Sequence, residues 1–212
     1  MQAIKAYAQI YGDINGKDIL RKIEQCGRVC YKSEHKITEN SAEKFVANII
    51  KRGHEAVLEH ASITVKFVVD RGVSHEIVRH RLASYCQEST RYCNYSKEDF
   101  GSEITFIIPH YLDYGTEGFK IWKQAMRECE NAYFKLLDYG LSPQEARAVL
   151  PNSLKTELVM TANLREWRTF FKLRTANAAH PQMREVTRPL LDELKQLIPI
   201  VFDDITYEVN DA

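Results

Sequence analysis

The sequence predicts an α+β fold. Three observations point there: apolar residues recur at helical spacing in several long segments, clear strand patterns are few, and the two do not alternate regularly as a doubly wound sheet requires. With 212 residues, 44% of them apolar, the chain can bury a substantial core. No repeat, low-complexity tract or Pro/Gly/Ser linker divides it, so one domain over residues 1–212 is expected.

Ile19, Leu20, Ile23 and Val29 mark a first helix, and Phe45, Val46, Ile49 and Ile50 a second. Ser62 to Val69 is rich in β-branched residues, with Ile63, Val65 and Phe67 on one face and Thr64 and Lys66 on the other, as in a half-buried strand. Past Gly72, Ser74 is placed to cap a helix through Ile77 and Val78 toward Leu82. The turn-rich stretch from Lys97 to Gly118 reads as a surface excursion. Glu117 to Tyr139 forms a long amphipathic helix ended by Gly140. Ser142-Pro143-Gln144-Glu145 then combines a capping box with proline at the first helical position, which puts Arg147 in a short helix stopped by Pro151. Glu157 to Thr161 is strand-like, Asn163 with Glu166 offers a second capping box for a helix reaching Arg174, and Pro181 to Ile198 supplies the last helix.

Composition narrows the partners. Lysine plus arginine (29) balance aspartate plus glutamate (29), so no global field favours nucleic acid or an anionic membrane, and any anion site is local. Cys26, Cys30, Cys86, Cys93 and Cys129 form an odd set without a C-x-x-C pair, which fits reduced thiols better than disulfides or a zinc ribbon. Met1 to Tyr11 lacks the apolar core of a signal peptide, and nowhere do about 18 apolar residues run together. A cytoplasmic protein is expected, with the sequon Asn94-Tyr95-Ser96 incidental.

The chemistry concentrates in Arg79-His80-Arg81-Leu82-Ala83-Ser84-Tyr85-Cys86-Gln87-Glu88-Ser89-Thr90-Arg91-Tyr92, where three arginines accompany two serines, a glutamine and two tyrosines. Guanidinium groups grip phosphate through paired hydrogen bonds, and Gln and Ser can read the edge of a base, so a nucleotide suits this set. If the predicted helix continued through the motif, Arg79 and Arg81 would stand about 200° apart and would address different ligands, or one ligand and a neighbouring subunit. Spacing alone is equally served by a solvated basic helix paired with Glu76 or Glu88.

This segment resembles the signature of the flavin-dependent thymidylate synthases, R-H-R, seven residues, then S, continued by a further Arg; here these are Arg79, His80, Arg81, Ser89 and Arg91. The resemblance extends to Gly53-His54-Glu55, Glu59-His60, the run from Glu145 through Arg147 to Pro151, Asn163-Leu164-Arg165, and Leu173-Arg174, about residues 50 to 185 in all. It implies mixed helices around a small, mostly antiparallel sheet. It also implies an enzyme that methylates deoxyuridylate (dUMP) to thymidylate, with methylenetetrahydrofolate as carbon donor and FAD, reduced by NADPH, as hydride source. The implied assembly is a homotetramer with sites shared between subunits.

By motif position, Arg174 would sit at the uracil carbonyl and imide and act in catalysis. Glu76, Ile77, Val78, Arg79, Gln87, Glu88, Ser89, Thr90, Arg91 and Arg147 would bind the nucleotide, and His54, Ala56, Arg79, His80, Arg81, Gln87, Asn163, Leu164, Arg165 and Thr169 the flavin. Thr169 stands where the family often has a longer Asn or His, and Ala56 where relatives may have Thr, leaving a backbone or methyl contact.

Other readings are weaker. His54 and His60, six residues apart, do not make a helical zinc pair, so neither a metal nor a metal-dependent hydrolase is expected. Ser89 lacks a sequence-local base and the glycines of a nucleophile elbow; Cys86 is read as a buried structural thiol. Trp167, Phe170, Phe171 and Leu173 read as core, and neither a G-x-G-x-x-G nor a P-loop pattern occurs, so a flavin would be held by a non-Rossmann site. Arg79→Lys should weaken nucleotide and flavin binding although charge is kept, because the planar fork is lost. Titration calorimetry that found both affinities unchanged would remove Arg79 from the site.

Overall fold

The computed structural model describes residues 1–95 and 103–208. Helix α1 (Gly16–Val29) opens on Asn15, whose side chain accepts from the Asp18 backbone N–H at 3.3 Å. It buries Leu20 and Ile23 and leaves Val29 exposed, while α2 (Ser41–Lys51) buries Val46 and Ile49. Two short strands, β1 (Gln2–Ile4) and β2 (Tyr7–Tyr11), precede them. Strand β3 (Ser62–Asp70) buries Ile63, Val65 and Phe67, the face its alternation predicts.

Helix α3 (Arg71–Ile77) starts earlier and stops sooner than the sequence suggests. Its cap is Asp70, whose carboxylate accepts from the Val73 N–H at 2.7 Å, while Ser74 lies inside the helix and donates to the Arg71 carbonyl at 2.9 Å. A charged acceptor at the end of a strand outcompetes a serine one turn later. Val78 caps the helix at its C-terminal end, and the Arg79 N–H bonds to the Glu76 carbonyl at 3.3 Å. Arg79-His80-Arg81 therefore leaves the helix in a turn and leads into strand β4 (Ala83–Gln87), so the expected angular offset of the two arginines does not arise.

The later elements follow the sequence more closely. They are β5 (Thr105–Ile107), α4 (Glu117–Asp138), α5 (Pro143–Ala146) with a turn of 3-10 helix over Arg147–Val149, β6 (Lys155–Asn163), α6 (Leu164–Arg174) and α7 (Pro181–Leu197). Gly140 takes a φ of +104° just past α4, and Ser142 with Glu145 makes the predicted capping box. Of the stretch from Lys97 to Gly118, residues 97–102 lie outside the described residues, as does Ser96 of the sequon. The remainder is more than a surface excursion, since Ile104, Phe106 and Ile107 are fully buried.

Four strands pair in the order β2-β3-β6-β4. Ala61 receives the Leu164 N–H at 2.9 Å, the Thr64 and Thr161 hydroxyls meet at 2.8 Å, and Leu154 receives the Arg71 N–H at 3.1 Å. Numbering falls along β6 as it rises along β3, so that pair is antiparallel. Strands β1 and β5 form a separate parallel ladder with Gln2 opposite Thr105. Mixed helices around a small sheet are the architecture that was expected. No helix among the described residues is long and apolar enough to cross a membrane.

Contacts cluster in two compact units. The first comprises Met1–Tyr7, Phe67–Arg79 and Cys86–Val159, and the second Ala8–Lys66, His80–Tyr85 and Met160–Ala212. The first packs Tyr95, Ile104, Phe106, Met126, Tyr133, Ala146 and Leu154 together. In the second, Trp167 stacks on Phe171 and meets Phe170 edge-on, and its indole N–H donates to the Ile63 carbonyl at 3.1 Å. Leu173, expected in this core, is exposed because it faces away from these three rings.

Gly16 belongs to the second unit, and a Cβ there would lie 2.1 Å from the Leu197 carbonyl oxygen at the end of α7. Backbone cannot move aside as a side-chain tip can. Gly16→Ala should cost about 1–3 kcal/mol of stability, read as a lower urea midpoint with unchanged helix content. An unaltered midpoint would mean that α1 and the end of α7 are not in this close approach.

Candidate active site

In the first unit, an open pocket of about 340 Å³ is lined in part by Arg71, His75, Thr90, Arg147 and Asn152. Arg147 closes α5 and donates from Nη1 to the Thr90 hydroxyl at 3.0 Å. Thr90 is buried, so this bond holds an otherwise exposed guanidinium in place. Among the described residues neither Arg71 nor Arg147 has a carboxylate partner. Two cationic forks, a hydroxyl and an imidazole around one opening make a site for an oxyanion.

The rest of the first unit's candidate residues divide by what their side chains are doing. Gln87 donates its amide to the Ser74 and Thr156 hydroxyls at 3.0 and 3.3 Å, and Ser89 Oγ accepts from the Arg91 N–H at 3.3 Å. Arg91 is exposed over the Tyr92 ring, with 5.4 Å to its centroid. The Glu88 carboxylate pairs with Lys155 at 2.9 Å, not with an arginine of the motif, and also accepts from the Tyr95 hydroxyl at 3.1 Å and the Glu157 N–H at 3.2 Å. Burial, then the charge of Glu88, pushes the Tyr95 phenol up, so it stays a donor. Ile77 is fully buried and can offer a ligand only its backbone; Val78 is half-buried beside it. Glu76 is partly exposed and Arg79 exposed.

In the second unit, His80 is buried and both ring nitrogens are engaged. Nδ1 lies 3.0 Å from Glu166 Oε1, and Nε2 accepts from Arg174 Nε at 3.1 Å. Glu166 and Arg174 sit eight residues apart on α6, about 80° around the axis, and so share a side of the helix two turns apart. Phe170, between them, meets the imidazole edge-on with ring centroids 4.9 Å apart. The Tyr85 hydroxyl donates to the His80 carbonyl at 2.6 Å, and burial, reinforced by Glu166, pushes that phenol up to about 12. Burial also pushes His80 below its ordinary 6.5; the hydrogen bond to Glu166 works against this and the Arg174 charge adds to it. The imidazole is neutral at neutral pH.

Helix α6 carries the remaining members of this set. Asn163 caps it, accepting from the Glu166 N–H at 2.9 Å. The reciprocal half of the expected capping box is not formed, because the Glu166 carboxylate goes to His80. Leu164 is fully buried, Arg165 pairs with Glu59 at 2.6 Å, and Thr169 donates to the Arg165 carbonyl at 3.2 Å. His54 and Ala56 are exposed at the start of a 3-10 turn over Glu55–His60, and Arg81 is exposed ahead of β4. Cys86 is exposed, contrary to the buried thiol expected, because its place in the pleat of β4 points it outward.

The residues that resemblance assigns to the nucleotide fall in the first unit, Arg174 excepted; those assigned to the flavin fall in the second, apart from Arg79 and Gln87. Sequence reasoning missed Arg71 and His75, which carry no motif, and gave Glu166 a capping role alone. Buried partnership with a histidine 86 positions away leaves no local trace.

Comparison with known proteins agrees with the signature. A family model described as thymidylate synthase complementing protein matches residues 15–200. The flavin-dependent thymidylate synthase of Pyrococcus furiosus is 37% identical over 173 residues, covering 81% of this chain and 70% of that protein. That of Geobacter sulfurreducens is 34% identical over 184 residues, covering 84% and 78%. Among solved structures, a UMP/dUMP methylase, PolB from Streptomyces cacaoi, bound with 5-Br dUMP, shares the fold with a TM-score of 0.78 over 96% of each chain at 19% identity. On the family match, and on relatives more than 30% identical over most of their own length, the chain belongs to the flavin-dependent thymidylate synthase family.

Proposed function

We propose that this protein converts dUMP to thymidylate, with methylenetetrahydrofolate as carbon donor and FAD, reduced by NADPH, as hydride source. The observation that carries the nucleotide part is the first unit's pocket, where Arg147, held by Thr90, stands with Arg71 and His75 around an opening with no carboxylate partner for either guanidinium among the described residues. A 5′-phosphate dianion matches that charge and donor set. Arg91 and the backbone from Glu88 to Thr90 would extend the grip along the nucleotide, with Glu76, Ile77, Val78 and Arg79 on the same ligand. The dUMP-related ligand named for the solved PolB structure fits this reading.

For the flavin, the donor set fits an anionic diphosphate cofactor: Arg79 and Arg81 are exposed and have no ion-pair partner among the described residues. His54, Ala56, Gln87, Asn163, Leu164, Arg165 and Thr169 would complete the contacts, Leu164 through its backbone and Ala56 through its backbone or methyl. His80 would meet the flavin through its backbone, since its ring nitrogens are engaged. Bound reduced flavin supplies the hydride.

The chain's own part is electrostatic. Arg174 would place a permanent positive charge at the uracil carbonyl and imide, lowering the cost of ring ionisation and so activating the ring toward the carbon donor. No protein nucleophile is required, and Ser89, its hydroxyl accepting from the Arg91 backbone, acts as a binding residue. The family match runs through both compact units and supports reading residues 1–212 as one functional domain. A cytoplasmic homotetramer with shared sites, and with neither nucleic acid nor membrane as partner, completes the proposal.

The test is an anaerobic assay with dUMP, methylenetetrahydrofolate, FAD and NADPH, scored for thymidylate with each component omitted in turn. Product should require all four, and product without flavin would overturn the mechanism. Arg174→Ala should cut turnover about a hundredfold or more while FAD stays bound, because charge stabilisation is lost and cofactor contacts are kept. Near-normal turnover in that variant would take Arg174 out of this role.

A further inference from the structure

The pocket of the first unit contains one side chain whose charge is not settled by its type. Arg71 and Arg147 are permanently cationic, Thr90 and Asn152 are neutral, and the rest of the lining is apolar. Among the described residues no carboxylate lines the opening. The remaining member is His75, and histidine is the side chain whose charge ordinarily changes between about pH 5 and 8. It stands four residues after Arg71 on α3, about 40° around the axis, so the two share a face of the helix. The ring is exposed, and among the described residues it has no hydrogen bond or ion pair. At the start of α3 the Asp70 carboxylate accepts from the Val73 N–H at 2.7 Å, and Glu76 lies about 100° around the axis from His75.

We propose that His75 binds the phosphate of the nucleotide as a cation, so that dUMP enters this pocket together with a proton. This deepens the proposed function and rests on the pocket holding the 5′-phosphate. A phosphomonoester has its second pKa at about 6 and presents three acceptor oxygens as a dianion. Arg71, Arg147 and a charged His75 supply three cationic groups, in number one for each of those oxygens. An anion beside an imidazole favours its protonated form, and linkage makes the effect reciprocal, so the proton favours the dianion equally. Affinity is therefore greatest where the ring is charged and falls as the pH rises beyond that range. A nucleoside, lacking the phosphate, gains nothing from this proton, so the same residue sharpens the choice of monophosphate over nucleoside.

Calorimetry on the full-length flavoprotein tests this. Titrating dUMP at about pH 7.5 in two buffers of different ionisation enthalpy should show net proton uptake; the phosphate is by then a dianion and can only release its residual proton, so the uptake belongs to the protein. In His75→Gln, which keeps a donor but cannot become charged, the uptake should vanish. The ratio of its Kd to that of the unaltered protein, in which the titration of the phosphate cancels, should be about tenfold near pH 6 and fall to within about twofold near pH 8.5. His75→Lys, cationic across this range, should bind dUMP without proton uptake and hold its affinity at about pH 8.5. Uptake that persists in His75→Gln, or a ratio that is flat with pH, overturns the proposal. Arg147→Ala separates the proposal from the function it rests on. If dUMP affinity falls about tenfold or more in that variant while the unaltered protein takes up no proton, the pocket holds the phosphate and His75 does not act in this way. If the affinity is unchanged, the phosphate lies elsewhere and both ideas fail.

Discussion

Helix α6 is held by a charge that it has to bury. Arg168 is 1% exposed, and its guanidinium is satisfied on every side: Nε and Nη2 reach Glu55 at 3.1 and 2.9 Å, both terminal nitrogens reach Asp204 at 2.6 and 2.7 Å, and Nη1 also meets the Val201 carbonyl. Removing one partner from such a set leaves an uncompensated buried charge, at about 3–5 kcal/mol. The helix cannot rotate or slide without breaking these bonds. Glu166, two residues before Arg168, and Arg174, six after, lie on other sides of the same cylinder, so their directions are inherited from that anchor. Behind it, Trp167, Phe170 and Phe171 fill the core of the second unit.

The first unit solves a different problem. It keeps cationic groups near one another without neutralising them. Lys155 shows the alternative: burial disfavours its charge, yet hydrogen bonds to Glu88 and Glu157 raise its pKa overall and commit it to structure. Arg147 instead is steadied by an uncharged hydroxyl, Thr90, which leaves its charge unneutralised. Neutral against charged partnership is thus what separates Arg147 from Lys155 in this unit. It also leaves a local unneutralised cation in a chain whose 29 basic residues are balanced by 29 acidic ones.

Much of this was legible in the sequence where local physics decides. The capping box at Ser142 and Glu145, the glycine stop at Gly140 and the alternation of Ile63, Val65 and Phe67 each stand as read, because caps and pleats depend on residues close in the chain. Failures came where distant groups compete. Ser74 lost the N-cap to Asp70, which the end of β3 presents first. Ala83 to Gln87 joined a sheet through its neighbours rather than through its own polar sequence; the Glu88 N–H, just past it, bonds to the Glu157 carbonyl at 2.8 Å. Glu166 was half read: its backbone takes the predicted cap, and its carboxylate goes to a histidine that only tertiary packing brings near. For the candidate site, the motif singles out the residues, and the fold shows partners that their side chains already have.

The engaged Nε of Arg174 has a consequence for what else could stand at that position. A guanidinium carries three nitrogens, so one can be spent on an internal partner and two are left for other bonds. A lysine ammonium is a single point: reaching His80 Nε2, it would turn the charge inward, and turned outward it would leave the imidazole acceptor unmatched. Asn and Gln offer a donor to one side at a time and no charge. The position therefore selects for the layout of donors as much as for sign, and of these side chains only arginine meets the His80 acceptor through one nitrogen while keeping its charge on a delocalised plane.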